Sequence, residues 1–117
     1  MLEPNRSGPQ DSTRIIEDAV LNWLRSVPPE QLYRYAHTGY DIAGELVQQY
    51  PPLLRRMAHA LLGPQGLERI RRMNGADWQR IVDRALRECP AHGRVLWQYE
   101  QWWHRQLQRA RDLFVAP

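Results

Sequence analysis

Residues 77–88 read Asp-Trp-Gln-Arg-Ile-Val-Asp-Arg-Ala-Leu-Arg-Glu, and their periodicity decides the fold class. Trp78, Ile81, Val82, Ala85 and Leu86 recur at the three- and four-residue spacing of one helical face, while Arg80, Asp83, Arg84 and Arg87 occupy the other. A half-buried strand would alternate apolar and polar side chains, and no stretch of this chain does so over a useful length. The segment predicts an amphipathic helix that must bury one side against other helices.

On the N-terminal side, Asn74-Gly75 predicts a turn, preceded by a short basic helix over 65–73 with Leu67, Ile70 and Met73 as its apolar anchors. Gly63-Pro64 marks the end of an earlier helix that starts at Pro51-Pro52 and turns Leu53, Leu54, Met57, Ala58, Leu61 and Leu62 inward. Before that, Leu32, Ala36, Gly39, Ala43, Leu46 and Tyr50 step by fours and threes in constant phase. This predicts one helix from Pro29 to Tyr50, bent at most at Thr38-Gly39, with Gly39 on the seam to let a neighbouring helix approach closely. A first helix is expected from Ser12 or Thr13 to Val27, capped by Asp11 or Ser12, with Glu17 and Asp18 toward the positive end of its dipole. Ile15, Ile16, Ala19, Val20, Trp23, Leu24 and Val27 form its apolar stripe, and Pro28-Pro29 ends it. Residues 1–11, with Pro4, Gly8 and Pro9, read as a disordered arm, and residues 12–115 as a single helical domain.

C-terminal to residues 77–88, Cys89-Pro90 introduces a last helix over 91–114 with Leu96, Tyr99, Trp103, Leu107, Ala110 and Phe114 inward. The whole predicts an all-α fold: a compact bundle or orthogonal array of about five to six helices, no sheet, with successive helices mostly antiparallel.

Composition narrows the function classes. A chain of 117 residues can bury one core without staples. The single cysteine, Cys89, allows no intrachain disulfide, and there is neither an apolar run of membrane-spanning length nor a signal-type leader, so a cytoplasmic location is expected and no membrane partner. All 16 basic residues are Arg, a usage that a GC-rich genome would produce without functional cause. Six Arg meet seven acids in residues 1–64 and ten meet six in residues 65–117, so the positive surplus lies in the second half.

Catalytic patterns are missing. No serine sits in a Gly-x-Ser-x-Gly elbow, Gly63-Pro-Gln-Gly66 lacks the lysine of a phosphate loop, and Asp41 with Glu45 lies on a solvated helix side. Cys89-Pro-Ala-His92 and the pair Glu100/His104 have ligand-like spacings, but a zinc site would need a second close pair. No catalytic residue, cofactor, metal or small-molecule ligand is inferred, and the chain reads as a non-enzyme.

Two surfaces remain. Five tryptophans are present, and Trp97, Trp102 and Trp103 crowd the last helix. Trp103 belongs to the core stripe, Trp102 flanks it, and Trp97 projects from the far side among Gln101, His104 and Gln108; on the second helix Tyr33 and Tyr40 flank the seam beside His37. Aromatic and Arg side chains anchor protein interfaces. The leading expectation is therefore a helical protein–protein interaction module (adaptor, accessory subunit or regulator) that binds another protein or its own copy through Trp97, Gln101, Trp102, His104 and Arg105. The alternative is a nucleic-acid-binding protein using Arg69, Arg71, Arg72, Arg80 and Arg84 on a helix-turn-helix-like segment, 65–88. Within that outline Arg71 stands four residues before the turn glycine, where a small residue would let the helices touch.

Overall fold

The computed structural model describes residues 9–116, with side chains from Ser12 onward. The arm expected over 1–11 lies outside the described residues as far as Gly8, and α1 begins at Pro9. Among the described residues there are eight helices and no strand: α1 Pro9–Arg25, α2 Pro29–Thr38, α3 Ala43–Gln48, α4 Pro52–Arg56, α5 Ala58–Arg71, α6 Gly75–Glu88, α7 Pro90–Gln98 and α8 Glu100–Val115. None of these helices is long and apolar enough to cross a membrane. The all-helical class is as expected, whereas eight helices replace the five to six read from periodicity.

Three added breaks, and one expected break at Gly63-Pro64 that becomes only a kink, account for the difference. The helix expected to run unbroken from Pro29 to Tyr50 stops at Gly39, which takes a left-handed conformation (φ 71°, ψ 26°) and caps α2 with its N–H on the Ala36 carbonyl. Gly39 therefore ends a helix, and the space where its side chain would stand is open, so no helix approaches it there. The expected third helix divides at Met57 (φ −120°, ψ 25°) into α4 and α5. That division turns Leu53, Met57 and Leu61 to solvent instead of inward, leaving Ala58 buried and Leu54 and Leu62 half-buried. The Gly63-Pro64 stop survives as a kink inside α5, with Gly63 at φ 71°. The last helix breaks at Tyr99 (φ −114°, ψ 50°) into α7 and α8.

The core gathers Leu21, Leu24, Leu32, Ile42, Leu46, Ile70, Ile81, Leu96 and Trp103, all fully enclosed. Packing mostly joins helices distant in sequence rather than antiparallel neighbours: α1 lies on α5, α2 on α7, and α3 and α5 on α8. The close sequential pair is α6 with α7. There Gly93 brings α7 onto the α6 backbone, so that a Cβ at this position would stand 2.6 Å from Leu86 N and 2.7 Å from Leu86 Cα. The close-approach glycine is Gly93, not Gly39.

Candidate functional site

The breaks at Gly39 and Tyr99 face each other, and the groove between them holds most of the aromatic surplus. On the α8 side, restarting the helix at Glu100 directs Trp102 inward. Its indole is 4% exposed, and Nε1–H donates to the Tyr40 carbonyl at 2.9 Å. One turn further, Gln106 is also buried and its Oε1 accepts the Ile42 N–H at 2.8 Å. These two bonds satisfy backbone groups that the gap between α2 and α3 would leave unpaired, and they fasten that gap to α8. Across it, Arg109 Nη2 reaches Asp41 Oδ2 at 2.8 Å.

The resulting groove has a volume of about 690 Å³. His37 and Gly39 form one wall, Trp97, Gln101 and Arg105 the other, and Trp102 the base. Trp97, at 66% exposure, is the most exposed large apolar side chain among the described residues. A ring cluster adjoins it: Tyr33 stacks on His37 with centroids 5.6 Å apart, Tyr99 meets Tyr33 edge-on at 5.7 Å, and the Tyr99 hydroxyl lies 3.2 Å from His37 Nδ1. Hydrogen bonding with Tyr33 holds the Tyr99 phenol above its ordinary value, so it remains a neutral donor and acceptor through the physiological range.

Four of the five residues read from the sequence as one contact surface, Trp97, Gln101, Trp102 and Arg105, do converge on this groove. Trp102 is corrected from an exposed contact to the buried base. His104 does not join them: it sits with Asn74, Trp78 and Arg111 on another side, its Nε2 buried and without a hydrogen-bond partner among the described residues. Tyr99 and His37 were missed as wall residues. The sequence signal for His37 is its place beside Tyr33 and Tyr40, which flank the helix-two seam, whereas periodicity puts the partner ring, Tyr99, on the core stripe.

The basic segment is organised differently. Arg69 pairs with Asp77 at 3.0 Å, and Arg80 bridges Asp77 at 3.1 Å and Glu17 at 2.8 Å. Arg84 meets Glu17 at 3.4 Å, Asp18 at 2.9 Å and Glu88 at 2.7 Å, while Arg71 and Arg72 both turn to Glu68, at 3.8 and 3.0 Å. All five arginines are thus held by carboxylates of this chain. The side chains of Glu17 and Asp77 are 11% and 7% exposed, so both are structural anions. Burial alone would raise the Asp77 carboxyl; the Asn74 N–H at 3.0 Å and the Arg69 and Arg80 guanidiniums outweigh it, and Asp77 titrates below its ordinary value. The Asn74 side chain in turn accepts the Ala76 N–H at 3.1 Å, completing a cap on α6. A packed helix-turn-helix does not form, because α5 lies on α1 and α8 while α6 lies on α7.

Two smaller sequence features are apart. His92 Nε2 lies 2.6 Å from the Val27 carbonyl and ties α7 to the end of the first helix. Burial pushes the Cys89 thiol above its ordinary value, which disfavours the thiolate. The described residues contain no group of three or more His, Cys, Asp or Glu side chains that could hold a metal ion. No protein-family model matches the chain, and comparison with curated proteins and with solved structures gives no significant match to either.

Proposed function

We propose that this protein is a non-enzymatic interaction module whose docking surface is the groove walled by Trp97, Gln101 and Arg105 on one side and His37 on the other. The observation that carries the reading is the exposure of Trp97 on the rim of a groove whose base is itself a tryptophan. An indole held in water above an aromatic base gains by covering, and Trp and Arg are the side chains on which interface free energy concentrates. Tyr99 and Gln101 supply neutral polar groups that orient a partner segment without demanding a charge of fixed sign. The partner is a protein segment, from another chain or from a second copy of this one.

Because α5 lies on α1 and α8 while α6 lies on α7, and the five arginines are spread over separate ion pairs, the α5–α6 segment offers no helix-turn-helix to enter a groove, which favours the aromatic groove as the macromolecular docking surface. The test compares wild type with Trp97→Ala and Arg105→Ala by light scattering across a concentration series and by capture of partners. Loss of self-association, or of a species that wild type retains, is expected in both variants. Unchanged mass and unchanged recovery in both would overturn the assignment of this surface.

A further inference from the structure

A second recess lies on the other helices, between α1 and α6 with Arg69 of α5 at its side. It is an open cleft of about 570 Å³, walled by five arginines and two glutamates. We propose that it binds a small polyphosphate anion: several phosphates on a compact scaffold, with no aromatic base.

The charge is in surplus at one place. Arg25 also enters the network, on Glu88 at 2.6 Å, so six guanidiniums meet four carboxylates there, Glu17, Asp18, Asp77 and Glu88. The two cations in excess are Arg14 on α1 and Arg87 on α6, which make no ion pair among the described residues. Asp83, one turn before Arg87, accepts the Gln79 amide at 3.1 Å instead. Arg14 and Arg87 line the same cleft and are exposed, which suits cations awaiting an anion from outside.

The paired arginines contribute differently. Carboxylates fix their planes and leave part of each donor fork unused: Arg80 commits Nε and Nη2 and Arg84 commits Nε and Nη1, out of five N–H groups apiece. A guanidinium already held in place loses little freedom when a phosphate oxygen takes its remaining N–H groups, and bidentate phosphate contacts are the geometry arginine serves best. The ligand class follows from what the walls lack. Among the described residues no aromatic ring lines the cleft, so a nucleobase has nothing to stack on, and the volume exceeds one orthophosphate. Spacing along the sequence does not bring Arg14 opposite Arg87; only the fold does.

Isothermal calorimetry with tripolyphosphate and with inositol hexakisphosphate tests the proposal on the full chain, against sodium chloride of matched ionic strength. Saturable one-to-one binding is expected, weakened about tenfold or more in Arg14→Gln/Arg87→Gln, two exposed positions whose replacement breaks no internal ion pair. Tighter binding of the linear anion points to an inorganic polyphosphate, and of the cyclic one to a phosphorylated polyol. Retention of the wild-type circular dichroism spectrum in the variant keeps the comparison meaningful, and the single Arg87→Gln variant, expected to fall between the two, repeats it. Heats no greater than those of matched salt, or equal affinity in wild type and variant, would overturn it.

Discussion

Replacing Gly93 by alanine should damage this fold more than any other glycine-to-alanine change among the described residues. The added Cβ would meet Leu86 N at 2.6 Å, Leu86 Cα at 2.7 Å and the Ala85 carbonyl carbon at 2.9 Å. These are backbone atoms, so no side chain can rotate away, and α7 must retreat from α6 by about 0.8 Å to reach ordinary contact at 3.4 Å. Overpacking of this kind costs roughly 1–3 kcal/mol, and a backbone clash belongs at the upper end. Alanine returns about 1 kcal/mol in helix propensity. The net is a loss of about 2 kcal/mol, or near 8 °C in Tm for a chain of this size. In urea, with a slope of about 1.5 kcal/mol/M, the midpoint should fall by roughly 1.3 M. Trp97 lies on the next turn of the same helix, so the displacement should also reach the groove wall. A midpoint equal to or above wild type would refute the close approach of α6 and α7, and with it the placement of the groove.

Further outcomes are as specific. Gly39→Ala should cost about 1 kcal/mol, because Gly39 is left-handed, whereas Gly44→Ala, with open space and no positive φ, should stabilise by about 0.5 kcal/mol; equilibrium unfolding of the pair checks both signs. The Asp77 carboxyl titrates below its ordinary value of 3.8, so its contribution is complete above that value and is lost as pH falls through the lower folded-state value. Asp77→Asn should lose about 2 kcal/mol at pH 7, discounted for the partial exposure of both arginine partners. Stability measured from pH 7 to pH 2.5 should then decline less steeply in Asp77→Asn than in wild type. Trp102→Phe removes the donor to the Tyr40 carbonyl from a buried position and should cost about 1–2 kcal/mol, with faster amide exchange at residues 39–42.

Much of the fold was legible because its start signals are chemical. Pro28-Pro29, Pro51-Pro52 and Cys89-Pro90 each mark a helix start, and the amphipathic face of residues 77–88 is buried as its spacing predicts. Breaks that carry no such signal were not legible. The seam from Leu32 to Tyr50 keeps its phase across Gly39, since the four non-helical residues 39–42 return the chain to the face a helix would have given. Tyr99 breaks the last helix with neither Gly nor Pro, so a wheel drawn through it places Trp102 at the edge of the core rather than in it. Met57 likewise rotates Leu53, Met57 and Leu61 outward from a stripe that looked continuous. The groove was half legible: Trp97 stood off the core face on any helical wheel, but its opposite wall belongs to α2, and periodicity says nothing about which helices meet. The same limit hid Glu17, whose two arginine partners lie 63 and 67 residues away.

That long-range pairing has a consequence for how the chain can be divided. The first helix rests on α5 and the second on α7, while α8 closes over α3 and α5. A cut at residues 39–42 would therefore give one fragment of two helices whose main packing partners, α5 and α7, sit on the other fragment. A cut at Gly63 would divide α5 itself and part α1 from its C-terminal half. In the first cut the N-terminal piece keeps no extensive helix-on-helix packing of its own, so it should stay unstructured alone and gain helix only when mixed with its complement. The first two helices should therefore melt with the rest of the molecule and not as a separate unit.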